Sequence, residues 1–271
     1  MSTATAPLEI GRVALTVNDL AAVREFYQQA LGLEVLDADG AVTQLGAGGR
    51  VLLDLRQDRS ARRRSAREAG LFHMAFLLPS RAALGAWLRH AAETKMPVQG
   101  ASDHLVSEAV YLADPEGNGI EVYADKPRAA WPMEGGSLRM ATEPLDVEGV
   151  AGAADGPWQG APEGTVVGHV HLQVGSVAEA EAFYHGTLGF DVVTHYPGAT
   201  FLGSGGYHHH LGANVWNSRG ASRRSFPSTG LADVEILAGP AALDAILART
   251  EGNRQLTDPW GTSVTLAPKA A

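Results

Sequence analysis

Apolar residues alternate with period two at Val13, Leu15 and Val17, then recur at three- and four-residue spacing at Val23, Phe26, Tyr27 and Leu31. The first pattern predicts a strand with one buried face, and the second an amphipathic helix packed against it. Asn18-Asp19 supplies an N-cap and Gly32 a C-terminal stop. Two or three further strands follow, punctuated by Asp-Gly, Gly-Gly and Asp-Pro-x-Gly turns.

The pattern then repeats. GRVALTVNDLAAVREFYQQALGLEV, from Gly11 to Val35, aligns without a gap with GHVHLQVGSVAEAEAFYHGTLGFDV, from Gly168 to Val192. Gly11 matches Gly168, Val13 matches Val170, Phe26 matches Phe183, Tyr27 matches Tyr184 and Gly32 matches Gly189. A second repeat runs from Leu71 to DPEGNGIEVY and from Leu231 to DPWGTSVTLA. The chain therefore predicts an α+β fold of four βαβββ modules, each about 40–55 residues long, with module 1 like 3 and module 2 like 4. DRSARRRSAREAG, between modules 1 and 2, reads as an exposed, solvated connector. Residues 128–163, rich in Pro, Gly, Ala and acidic residues, read as a linker between an N-terminal domain, 1–127, and a C-terminal domain, 164–271.

Composition narrows the chemistry. Thirty acidic residues against 21 basic ones give a net charge of −9, which disfavours broad binding to nucleic acid or anionic membrane. The absence of cysteine excludes disulfides, thiolate metal sites and cysteine nucleophiles. No window approaches the roughly 20 apolar residues of a membrane span, and no signal-peptide pattern opens the chain. The expectation is a cytoplasmic globular protein, free to form a homo-oligomer, whose ten histidines are the residues to follow.

The openings G-x-V-x-L-x-V…F-Y-x-x-x-L-G-[LF] and the segment YLADPEGNGIE at 111–121 resemble the vicinal oxygen chelate superfamily, which contains glyoxalase I, fosfomycin-resistance proteins and type I extradiol dioxygenases. FHMAF, DHLVSEAVYLADPEGNGIEVYADKP and YHHHLGANVW are most similar to bacterial two-domain catechol 2,3-dioxygenase-like proteins. The resemblance spans nearly the whole chain except the linker. It implies paired modules that form open, curved mixed sheets, each cupping a divalent metal with ligands on first and last strands.

Aligning the modules puts Arg12, His73, His169 and Ala232 at the first-strand position. Glu121 and Thr265, each seven residues after the Asp of a DPxG turn, take the last-strand position. Arg, Ala and Thr would not hold a metal, whereas His73, Glu121 and His169 form the two-imidazole, one-carboxylate set that suits Fe(II), with Mn(II) or another divalent ion as substitutes. Only a pairing of module 2 with 3, and of 1 with 4, unites the three. His169 and His171 share a face; the alignment favours His169 as ligand and leaves His171 for substrate.

Alternation through YHHHLGANVW puts His209, Leu211, Ala213 and Val215 against the helix and turns His208, His210, Asn214 and Trp216 toward the cup. A slip of one residue, from matching the GSGG turn to the PEGN turn, would aim His209 inward instead. The resemblance implies an acid–base histidine on this strand, here His210 or His208, with Asn214 and Trp216 near the substrate. It also implies that Tyr111 hydrogen-bonds substrate or oxygen, and that His104 stands near the metal although displaced two residues from the family position. Asp114, Gly117 and Asn118 read as turn-formers.

The implied activity is extradiol cleavage of a catecholic substrate by O2. Two other readings stand beside it: a glyoxalase-type metal lyase or isomerase with a fourth protein ligand, and a metal-free aromatic-binding module.

Overall fold

The computed structural model describes residues 6–269. Module 1 is β1 (Leu8–Val17), α1 (Leu20–Leu31), β2 (Glu34–Asp39), β3 (Val42–Ala47) and β4 (Arg50–Gln57). Module 2 is β5 (Gly70–Leu77), α2 (Arg81–Glu93), β6 (Gly100–Asp103), β7 (Ser107–Ala113) and β8 (Gly119–Asp125). The following segment carries a small ribbon, β9 (Met133–Glu134) and β10 (Ser137–Leu138), and the short helix α3 (Val147–Gly152). Module 3 is β11 (Val166–Gln173), α4 (Val177–Glu181), β12 (Asp191–Tyr196), β13 (Ala199–Gly203) and β14 (Leu211–Asn214). Module 4 is β15 (Gly230–Ala238), α5 (Pro240–Arg249), β16 (Gln255–Thr257) and β17 (Ser263–Pro268).

Three modules have the predicted order. The fourth lacks one strand, because the stretch after α5 has room for a single hairpin. The helix boundaries follow the sequence: Asp19 accepts from the Ala22 N–H at 3.1 Å, and Gly32 closes α1 in the left-handed conformation at φ 63°.

The strands form two curled sheets, ordered β12-β13-β14-β11-β5-β8-β7-β6 and β16-β17-β15-β1-β4-β3-β2. Modules 2 and 3 therefore share one sheet and modules 1 and 4 the other, the pairing that the ligand inventory required. At each seam two first strands meet antiparallel, β5 with β11 and β1 with β15. Each module-2 or module-4 last strand runs parallel to its own first strand, β8 beside β5 and β17 beside β15. First- and last-strand positions thus come side by side.

Both sheets and the helices that cover them share one continuous apolar core, into which α1 buries Val23 and Tyr27 and α2 buries Leu84 and Trp87. The repeated Phe-Tyr pair finds its reason across that core. Tyr27 donates to Asp114 at 3.3 Å and Tyr184 to Asp258 at 3.0 Å, so each tyrosine ties a helix of one sheet to a turn of the other. Asp114 also accepts the Glu116 and Asn118 N–H groups at 2.8 and 2.9 Å, the expected work of a turn residue.

Two connections are more than connectors. Arg64, in the basic stretch, donates to Gln173 and to the Leu71 carbonyl at 2.8 Å each, pinning the loop to β11 and β5. Within the linker, Glu143 and Asp103 exchange backbone hydrogen bonds at 2.9 Å, laying this segment along the outer edge of β6.

Candidate metal centre

The site starts from a glycine. The β5–β11 register shifts between Val167 and His169, and a Cβ at the intervening Gly168 would collide with the Tyr123 hydroxyl. Gly11 interrupts β1 in the same way, and a Cβ there would collide with Glu235. A side chain from the neighbouring element crosses each glycine, so the repeated glycine is needed for close approach. The irregularity re-aims the next residue into the concave face. That residue is His169 in one sheet and Arg12 in the other.

His73 on β5, Glu121 on β8 and His169 on β11 converge. The Nε2 atoms of His73 and His169 lie 3.0 and 3.1 Å from the same Glu121 oxygen, Oε2. One ligand atom from each residue lies within 4.8 Å of the others, and all three side chains are buried. Burial pushes the His169 imidazole down to about 4. For Glu121, burial pushes up, but the two imidazoles outweigh it and hold the carboxyl well below its usual range. At neutral pH the cluster therefore offers an anionic oxygen and an uncharged His169 lone pair. The buried His73 Nε2 makes no well-formed hydrogen bond. These residues fit a divalent cation.

A cavity of about 430 Å³ opens over the cluster. Phe72, Phe201 and Trp216 form an aromatic wall around His171, with ring centroids 5.1, 5.5 and 5.5 Å from the imidazole. Tyr111 and His104 line the same cavity. His104 Nδ1 donates to the Ala141 carbonyl at 2.8 Å, which leaves Nε2 to accept from the Tyr111 hydroxyl at 2.5 Å. Burial, and then the Glu121 charge, raise the Tyr111 pKa well above its ordinary value and keep it a proton donor. His104, despite its two-residue displacement, reaches the cavity through this pair.

The histidine triplet departs from the expected faces. His209 lines the cavity, its ring 4.1 Å from that of His169. His210 is buried on the opposite side, against Phe190 and Tyr207, with neither ring nitrogen partnered. His208 lies behind the cavity wall and bonds to Asp125. The reason is an extra residue. Leu202 pairs with Leu211, yet the Leu202 carbonyl also accepts the His210 N–H at 2.8 Å. Two residues thus oppose one, and alternation does not carry back past Leu211. His209 is therefore inward, as the alternative turn match gave, but through a bulge before Leu211 and not through a slip of the whole strand.

Asn214 is corrected as well. It is buried outside the cavity lining, and its Oδ1 accepts the Trp216 N–H at 3.1 Å, so it supports the wall without forming it. Sequence reasoning missed Met140, Ala141 and Thr142, linker residues that line the cavity. No periodicity marks them; the linker's docking on β6 brings them there.

The family model described as "Glyoxalase/Bleomycin resistance protein/Dioxygenase superfamily" matches residues 9–122 and 166–239. A Bacillus subtilis protein named catechol-2,3-dioxygenase is 42% identical over 228 residues, covering 82% of this chain and 80% of its own. The crystal structure of glyoxalase I from Zea mays has a TM-score of 0.56 at 16% identity, covering 96% of this chain and 92% of that one. That of the cppA protein from Streptococcus pneumoniae has a TM-score of 0.55 at 12% identity, covering 96% and 99%. These two likenesses concern the fold. With the modules paired, the donors converged and both halves matched, the chain belongs to the glyoxalase/bleomycin resistance/dioxygenase superfamily.

Proposed function

We propose that the protein is an extradiol-type dioxygenase that opens a catecholic ring with O2, using Fe(II) held by His73, Glu121 and His169. The observation that carries this reading is the convergence of those three ligands at the floor of an aromatic cavity. The relative named catechol-2,3-dioxygenase supports it. When bound, the metal supplies chelation of the two vicinal oxygens and electronic coupling between the diol and dioxygen.

The chain's own residues do the rest. Phe72, Phe201 and Trp216 hold the ring and keep water from its faces. His209, beside His169, takes the proton that a diol hydroxyl loses on binding. Tyr111, whose hydroxyl hydrogen goes to His104, turns the lone pairs of its oxygen to the cavity as an acceptor for a substrate hydroxyl. Among the described lining residues, Glu121 is the only Asp, Glu, Lys or Arg, so the cavity suits an uncharged substituent on the ring.

Oxygen uptake by anaerobically purified, Fe(II)-loaded protein on a panel of catechols, with metal content measured in the same sample, tests the reading. Stoichiometric uptake with a yellow ring-opened product is expected. Metal-bearing protein that consumes no oxygen with any catechol would favour the glyoxalase-type alternative.

A further inference from the structure

Behind His209 runs a chain of hydrogen bonds that decides which of its nitrogens carries a proton. His208 Nε2 lies 2.9 Å from Asp125 Oδ1, and the Nδ1 atoms of His208 and His209 lie 2.8 Å apart. A carboxylate accepts only, so a neutral His208 carries its one proton on Nε2. His208 Nδ1 is then a bare lone pair, and the contact exists only if His209 Nδ1 carries the donating hydrogen. His209 Nε2 is left without a proton, on a ring that lines the cavity. The opposite assignment would face a lone pair with the Asp125 carboxylate.

The framework holds this arrangement from several sides. Tyr207 donates to Asp125 at 3.2 Å, and its hydroxyl also meets that of Tyr123 at 2.7 Å. The Tyr207 and Trp131 rings flank His208, with centroids 4.1 and 5.2 Å away.

We infer that Asp125 and His208 are positioning residues, which lock His209 as the Nδ1–H tautomer and present its Nε2 lone pair to the substrate. The tautomer stands on hydrogen-bond geometry alone; its catalytic consequence rests on the dioxygenase reading above.

Nitrogen NMR of 15N-histidine-labelled full-length protein, loaded with diamagnetic Zn(II), reads the tautomer without turnover. A pyridine-like Nε2 and a protonated Nδ1 are expected for His209, assigned by loss of its signals in His209→Gln. In Asp125→Asn the amide can donate to His208 Nε2, so both imidazoles should invert and His209 should carry its proton on Nε2. The same variant, loaded with Fe(II), should lose turnover of catechol by roughly 10²–10³ with KM nearly unchanged, while Asp125→Glu should recover most of it. A protonated Nε2 in the parent protein would overturn the assignment, and an unchanged tautomer in a folded Asp125→Asn would overturn the control attributed to Asp125. An inverted tautomer with undiminished kcat would overturn the positioning role and leave the dioxygenase reading intact. The expected tautomer in a protein that turns over no catechol would sink the dioxygenase reading and leave the assignment standing.

Discussion

At the position where the eight-stranded sheet holds His73 and His169, the seven-stranded sheet holds Arg12 and Ala232. The two concave faces share one scaffold, glycine irregularity included, but settle their charge differently. In the seven-stranded sheet, Arg12 forms ion pairs with the buried Asp54 and, at 3.5 Å, with Glu235, while Gln44 donates to Asp54 at 3.0 Å and Thr265 to Asp233 at 2.8 Å. The guanidinium of Arg12 on β1, joined at Asp54 by that of Arg56 on β4 at 3.5 Å, supplies positive charge beside the acids. In the eight-stranded sheet, the buried Glu121 faces two imidazoles, and among the described residues no Lys or Arg forms an ion pair with it. One face contains its cation; the other has the donors for one. The same module scaffold thus accommodates either a built-in guanidinium or a donor set at one position, without a change of fold.

The sharpest break of that comparison is Glu121→Gln. It should reduce metal content to background and catechol turnover by at least about 10³, since a neutral amide is a poor third ligand. Arg12→Ala and Thr265→Ala should leave metal content unchanged, as measured by elemental analysis.

Next in size is His209→Phe, expected to keep its metal and lose turnover by about 10²–10⁴. His210→Phe should leave turnover per folded molecule nearly intact and instead change the pH dependence of stability. Burial holds the His210 imidazole down to about 3. The unfolded chain, with a histidine pKa of about 6.5, therefore binds this proton first, so stability falls as pH drops from about 6.5 toward 3. At pH 5 the site costs about 2 kcal/mol that His210→Phe should restore, visible as a flatter dependence of the urea midpoint on pH.

In the seven-stranded sheet, Arg12→Leu should destabilise by about 2 kcal/mol in urea unfolding, because it leaves the buried Asp54 carboxylate only Gln44 and the half-exposed Arg56 at 3.5 Å. Adding Asp54→Leu should recover much of that loss, and additive losses would mean the pair is not coupled. Smallest is Thr265→Ala, which removes one hydrogen bond to Asp233 and should cost about 1 kcal/mol.

What could be read from the sequence depended on how rigidly local spacing fixes position. Glu121 was legible because the DPxG turn sets a constant count to the last strand, and Tyr111 because it precedes the same turn in a regular strand. The pairing of modules was legible from the donors at the two positions the family resemblance marks, since Arg12, Ala232 and Thr265 left only one combination able to hold a metal. The histidine triplet was not, because an extra residue opposite Leu202 reverses the alternation that the apolar pattern of 211–215 imposes. Met140 and its neighbours were invisible for a different reason: the edge of β6, not any pattern of their own, decides where they lie. The strand missing from module 4 was within reach of simple counting.

The crossed pairing also governs how the chain comes together. His169 follows Glu121 by 48 residues, and the seam between β1 and β15 joins the opening of the chain to its last module. During synthesis neither sheet can be completed until the second half has emerged, so early strands must wait with open edges, which predicts slow folding dominated by long-range closure. The exposed turn at Gly135-Gly136, between β9 and β10, offers a place where the finished protein can be nicked. Both seams cross from one half to the other, so a protein cut there should remain a single particle until both sheets unravel together.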